Sequence, residues 1–215
     1  MAPLIPGHHI TSAKMADMET LLGFVMDGKK HLAINHFLFE NRTAELAYAW
    51  AAIEDALTNP QADCLLVRED DTEQIVAYLA VTRHYGSRYD MSQFKSPMKA
   101  PEGMVPAVFK AVMKMAIDLD QPVGEYMELS YIYVVPSSRR QMIGITLVEI
   151  CEDRADWEGL PLIVNAEPIA RPFFLKRGFR DIKHVNIDLR QWAGQNSGYG
   201  VFRMSTLVGP ELDSE

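Results

Sequence analysis

The sequence predicts an α/β fold, with helices packed on both sides of a largely central sheet. Runs rich in Val, Ile and Leu alternate with segments whose apolar residues recur every three or four positions. Strands and helices follow one another at short spacing, the pattern of a layered sandwich. The 215 residues, 48% hydrophobic and 23% charged, suffice for a sizeable core without disulfide or metal support.

The elements can be justified in order. Residues 1–9 and 209–215 read as frayed ends, the first holding an exposed His8-His9 pair, and a first strand is expected at His9–Ala13. Asp17 is placed to cap a helix with Met18, Leu21, Leu22 and Val25 on one face, ended by Gly28. Asn41 or Thr43 starts a second helix with Leu46, Trp50, Ile53 and Leu57 on its apolar face, stopped by Asn59-Pro60. Between these helices, Gly28–Asn41 carries Leu32, Ile34, Phe37, Leu38 and Phe39, suited either to core or to the wall of a binding site. Cys64–Arg68 and Gln74–His84 form a hairpin across an acidic turn. A long loop, 85–103, follows, with Tyr85, Tyr89 and Phe94 as candidates for a lid. Pro106 opens a helix presenting Val108, Val112, Met115 and Leu119. Tyr126–Val135 is strongly strand-like, Pro136–Ile143 is a basic connector, and a helix from Ile143 buries Leu147, Ile150, Cys151 and Ala155. A short strand, Pro161–Asn165, precedes a short helix, Ile169–Arg177, capped by Gly178. Phe179–Leu189 and Tyr199–Val208 are the last strands.

Composition narrows the function. The net charge is −8, with 9 basic against 14 acidic residues in 1–107 and 12 against 15 in 108–215. No half of the chain is basic, which argues against a general nucleic-acid binder and favours a neutral or cationic small substrate. Cys64 and Cys151 form no CxxC motif and read as free buried thiols of a reducing cytosol. Six histidines are scattered; His31 and His36, five apart, share no helix face, so no metal site is expected. No leader-like or membrane-spanning apolar run stands out, so a cytoplasmic protein without a membrane partner is expected.

The informative segment is the connector. A strand ends at Val134-Val135-Pro136, and residues 137–144 lead straight into a helix. Unpaired N–H groups at a helix start make an anion site, and Arg139 and Arg140 add two positive charges beside it. A diphosphate fits such a site.

From Pro136 to Leu147 the sequence resembles the GCN5-related N-acetyltransferase (GNAT) superfamily, whose signature runs strand, Pro, Gln/Arg-x-x-Gly-x-Gly/Ala, helix. Leu160–Ile182, ending in Lys176-Arg177-Gly178-Phe179, resembles the family's following strand, small helix and Lys-x-Gly-Phe end. The resemblance covers 126–183, and the surroundings of Glu167-Pro168 and Arg171-Pro172 look most like fungal members. It implies one acetyltransferase domain over 1–215, with a mixed central sheet whose middle strands splay apart to admit acetyl-CoA. Val134 and Val135 would pair with the pantetheine and polarise the thioester. Arg139, Arg140, Gln141, Met142, Ile143, Gly144, Ile145 and Thr146 would hold the pyrophosphate.

The sequence departs from the signature twice. Met142 takes the place of the first glycine; lying next to the helix start, it is expected to accept ordinary helical geometry, with weakened coenzyme binding or a shifted pose. Phe174 takes the place of a tyrosine that protonates the leaving thiolate in many relatives, which leaves water, Tyr131, Tyr133 or Cys151 for that task. Glu128 is the expected general base, because histone-acetylating relatives carry a glutamate eleven residues before the Arg139 position. Strand alternation puts Glu128, Ser130, Ile132 and Val134 on one face, and burial would raise the carboxyl toward working pH. A structural Glu128 paired with a cation is the alternative, with Glu167 the rival base. The activity implied is direct acetyl transfer to an amine of a small molecule or peptide. A fold that binds a ligand or partner without transfer stays open, as does O-acyl or CoA-independent chemistry. The oligomeric state is unspecified.

Overall fold

The computed structural model describes residues 5–86, 99–120 and 124–210. The strands are β1 (His8–Ser12), β2 (Ala62–Glu69), β3 (Ile75–Tyr85), β4 (Glu125–Val134), β5 (Leu162–Ala166), β6 (Arg180–Asp188) and β7 (Val201–Val208). The helices are α1 (Met18–Lys29), α2 (Asn35–Leu38), α3 (Arg42–Thr58), α4 (Pro106–Leu119), α5 (Ile143–Glu158) and α6 (Arg171–Lys176). One seven-stranded mixed sheet runs β1-β2-β3-β4-β5-β7-β6. Only the β4–β5 pair is parallel.

Three apolar clusters hold the layers. One lies between the sheet and α5 and α6, built on Leu79, Val81, Met127, Leu147 and Phe174. The second lies under α1 and α3 on the opposite face, with Leu21, Phe24, Ile53, Tyr78 and Tyr133. The third joins the α1–α2 segment and α4 to β6 and β7 through Leu32, Leu38, Val108, Met115 and Phe202.

Most elements match their sequence signals, and the exceptions have local causes. Asn41 caps α3 by accepting the Ala44 N–H at 2.9 Å. Asp17 precedes α1, but its carboxylate accepts from Arg68 and from the Lys14 N–H instead of capping that helix. Trp50 points outward at 40% exposure, and Ala49 takes the expected core position, because α3 must lie close on β2. Gly28 does not end α1, which continues through Lys29. The His8-His9 pair is not a frayed end: both residues lie in β1, and His9 pairs with Asp70. Of the lid candidates, Tyr85 ends β3 exposed, whereas Tyr89 and Phe94 lie outside the described residues. No helix among the described residues is long and apolar enough to cross a membrane.

The feature that makes the site is a break in β4. The β3–β4 register shifts between Ala80 and Val81, leaving Ser130 without a partner as a bulge. The strict alternation read from the sequence therefore fails: Met127 and Leu129 share the α5 face with Ile132 and Val134, and Glu128 turns to the face of Tyr131 and Tyr133. Bulges bend and twist a strand. β4 touches β5 only at Met127–Leu162 and Glu128–Ile163, after which the two part and β5 stays with β7. The middle strands are splayed, as the mixed-sheet expectation held.

Candidate active site

Two clefts open from the splay. The first, about 350 Å³, lies between Leu129–Tyr133 on β4 and Val164–Glu167 on β5, with Phe174 and the end of α1 bordering it. An adjoining hollow of about 440 Å³ runs over Val134, Arg139, Arg140, Met142–Ile145 and Phe173. The second cleft, about 360 Å³, lies between α1, α2, α4 and β7. Lys29, Ser130, Tyr131, Asn165 and Glu167 border both this cleft and the first. That shared wall is where contents of the two spaces would meet.

The connector is shaped as an anion cradle. Pro136–Ser138 forms one tight turn, and Arg140 and Met142 then both adopt φ of 65°. Residues in this left-handed region turn their N–H groups toward a common hollow. The first bond inside α5 runs from the Thr146 N–H to the Met142 carbonyl at 2.9 Å, leaving the N–H groups of Ile143, Gly144 and Ile145 without helical partners. Met142 thus takes a left-handed conformation that favours glycine, not the helical one expected from its position. Its side chain is 58% exposed and does not fill the hollow. At Gly144 an added Cβ would stand 3.6 Å from Val134 and 3.8 Å from Phe173, ordinary contacts, so the protein itself tolerates a side chain there. What the glycine keeps clear is the hollow. Unpartnered N–H groups at a helix start are the kind of donors that bind anions.

Several expected contacts are rearranged. The Val135 N–H donates to the Val76 carbonyl at 2.9 Å and is not available to a thioester. Antiparallel pairing alternates, so the Val135–Val76 bond turns the backbone groups of Tyr133 to β3 and those of Ile132 and Val134 to the open side. Arg139 folds back, its Nε donating to the Val134 carbonyl at 3.0 Å and its guanidinium lying over the Tyr133 ring. Thr146 is buried with its N–H already bonded, and it borders neither cleft. The Gln141 side chain is exposed beside the cradle.

Glu128 is 4% exposed. Its Oε1 accepts from Asn165 Nδ2 at 2.9 Å, and its Oε2 lies 3.0 Å from His84 Nε2. Asn165 Oδ1 accepts from Thr206 at 2.8 Å, and the His84 ring stacks on Tyr126. The carboxylate is therefore held in a polar chain and not among Met127, Leu129 and Ile132. Glu167 lies at the junction itself, where burial raises its carboxyl and Lys29 pulls it back. Burial lowers the Lys29 ammonium, with Glu167 and Glu45 opposing that shift.

The candidate acids separate clearly. Cys151 is buried under α5, and burial pushes its thiol up to about 12, far from either cleft. Tyr131 donates its hydroxyl to the Phe24 carbonyl at 2.8 Å, and burial raises it strongly. Phe174 is buried between Phe173 and Phe179, an apolar floor with no proton to give. His36 meets Tyr199 at 2.8 Å, and among the described residues no cluster suited to a metal ion occurs.

Sequence reading pointed to Glu128, Glu167 and the connector, which the structure brings to the clefts and the adjoining hollow, but not to Lys29, His84, Asn165 and Ile132 beside them. Asn165 had a usable signal, since it is the one polar residue in the apolar run Leu162–Ala166. His84 and Lys29 end their elements, and nothing in their neighbours shows that both reach the β4 break.

The layered sheet, the splayed middle strands and the row of unpartnered N–H groups define an α/β domain open at the centre of its sheet. Residues 115–188 match the family model described as Acetyltransferase (GNAT) domain. No curated protein sequence matches the chain. Solved structures share its fold. A putative arylalkylamine N-acetyltransferase from the yellow fever mosquito Aedes aegypti is 14% identical, with a TM-score of 0.61 over 93% of this chain and 87% of that one. The crystal structure described as histone acetyltransferase HPA2 and related acetyltransferase from Corynebacterium glutamicum is 12% identical, with a TM-score of 0.58 over 97% and 99%. A putative acetyltransferase from Salmonella typhimurium, solved with its cofactor acetyl-CoA, is 14% identical, with a TM-score of 0.53 over 97% and 96%. The matched segment resembles an acetyltransferase (GNAT) domain, and the chain shares the fold of these acetyltransferase structures.

Proposed function

We propose that residues 1–215 act as one domain that transfers acetyl from acetyl-CoA directly to an amine. The observation that carries this is the meeting of two clefts at Ser130, Tyr131, Asn165 and Glu167, one leading to the anion cradle and the other to a separate cavity. Acetyl-CoA supplies, when bound, a thioester that an amine attacks without a covalent enzyme intermediate. Neither cysteine borders either cleft, in keeping with direct transfer. The N–H groups of Arg140–Ile145 would hold the pyrophosphate, and the open backbone groups of Ile132 and the Val134 N–H the pantetheine. Fixed N–H donors of this kind also stabilise charge developing on a carbonyl oxygen.

Glu128 borders the acceptor cavity, and Asn165 and His84 fix its carboxylate toward one orientation. In this role it accepts the proton of the incoming ammonium. A second assignment gives that role to Glu167, which borders both clefts and has its carboxyl raised by burial. Thiol release from acetyl-CoA in the presence of amines tests the activity; no release with any amine would refute it. Glu128→Gln is expected to lower kcat by roughly 10²–10⁴, the usual worth of a positioned base. Full turnover in Glu128→Gln with such a loss in Glu167→Gln would transfer the assignment.

A further inference from the structure

The acceptor cavity says more than that an amine enters. Its α4 and β7 side is formed by Val112, Met115, Ala116, Leu119, Phe202 and Met204, with no charged group among them. The α1–α2 segment adds Leu32, Ile34 and Leu38, part of the third core cluster. Among the described residues, the charged ones bordering the space are Glu45, Glu128 and Glu167 against Lys29, three acids to one base. His84 stands behind Glu128 as that carboxylate's partner. Glu167 stands where the two clefts meet, and Glu128 borders the acceptor cavity two residues before Ser130, which belongs to that shared wall. At about 360 Å³ the space lies at the low end of small-molecule pockets, roughly 300–1,000 Å³.

Resting on the acetyl-transfer reading for its site, we infer that the acceptor is a small primary amine with one positive charge and an apolar body. The ammonium sits at the junction beside Glu167 and toward Glu128, and the body lies against α4 and β7. A second ammonium would have to leave water for the apolar wall, a large unpaired cost. A carboxylate next to the amine, as in an amino acid, would face the three acids. A neutral alcohol of the same shape would forgo the charge pairing. Polyamines, free amino acids and alcohols are therefore poor ligands.

The test is direct binding to the full chain, measured calorimetrically with and without CoA. Phenethylamine and hexylamine are compared with spermidine, phenylalanine and hexanol. Each of the first two is expected to bind at least tenfold tighter than each of the last three. Equal or tighter binding of spermidine, phenylalanine or hexanol overturns the inference, as does no binding of either monoamine in both states. Ala116→Phe fills the apolar side and should weaken phenethylamine at least fivefold at an unchanged unfolding midpoint; undiminished affinity overturns the inference too. Acetyl-CoA is titrated alongside. Its failure to bind would refute the acetyl-transfer reading while leaving the amine result standing on its own.

Discussion

Gly28 offers the sharpest test of how α1 is seated on the broken strand. A Cβ added there would come 2.7 Å from the Tyr131 hydroxyl and 3.3 Å from Tyr133 Cδ2. That hydroxyl is not a free end, because it donates to the Phe24 carbonyl at 2.8 Å. In Gly28→Ala either the ring shifts and loses a buried hydrogen bond, about 1 kcal/mol, or the helix lifts, an overpacking cost of roughly 1–3 kcal/mol. Alanine returns up to about 1 kcal/mol in helix propensity. The net expectation is a loss of about 1 kcal/mol, or roughly 2–4 °C in Tm for a chain of this size. Tyr131→Phe removes the colliding oxygen, leaving 3.3 Å to Tyr133 Cδ2 as the nearest approach. In that background Gly28→Ala should be neutral or stabilising, giving a coupling energy of about 1–2 kcal/mol by urea denaturation of the four proteins. A neutral Gly28→Ala in the wild-type background, or a coupling near zero, would refute the reasoning.

Other consequences follow from the same structure. Met142→Gly relieves a left-handed non-glycine residue, worth about 1–2 kcal/mol, against roughly 0.4–1 kcal/mol of added unfolded-chain entropy; a net gain of about 0.5 kcal/mol is expected in urea unfolding. Glu167 is raised by burial, so the folded chain binds more protons than the unfolded one, and stability falls as pH rises from the ordinary glutamate value through the raised one. Glu167→Gln should flatten that fall in Tm measured against pH, and an unchanged slope would count against the burial. Burial also raises both thiols, so Cys64 and Cys151 should resist a thiol reagent in the native protein and react promptly in denaturant.

The sequence made the sheet and the cradle legible because both rest on local signals. Strand runs, the Pro136 stop and the polar step into α5 are readable within a dozen residues. The bulge at Ser130 was not, because an extra residue leaves no mark in an alternating run whose next members are Tyr131 and Tyr133, able to face either side. That single slip misplaced Glu128 by one face and hid its partners, His84 and Asn165, which arrive from β3 and β5. Met142 shows the complementary limit. Residue preference favours helical geometry at that place, but the surrounding turn imposes φ of 65°. The composition of the 28–41 segment leaves its place open; in the fold it serves both as core and as wall of the second cleft, because the third cluster lines that cavity.

The central claim is that the 140–145 cradle receives the coenzyme's diphosphate. Calorimetric titration of acetyl-CoA into the wild-type chain and Gly144→Ala tests it most directly, since the new methyl group makes only ordinary contacts with the protein. The account predicts one saturable site in the wild type below about 1 mM, the top of the usual KM range. It also predicts at least tenfold weaker binding in Gly144→Ala at an unchanged unfolding midpoint. No binding to the wild type, or equal affinity for both proteins, would contradict it.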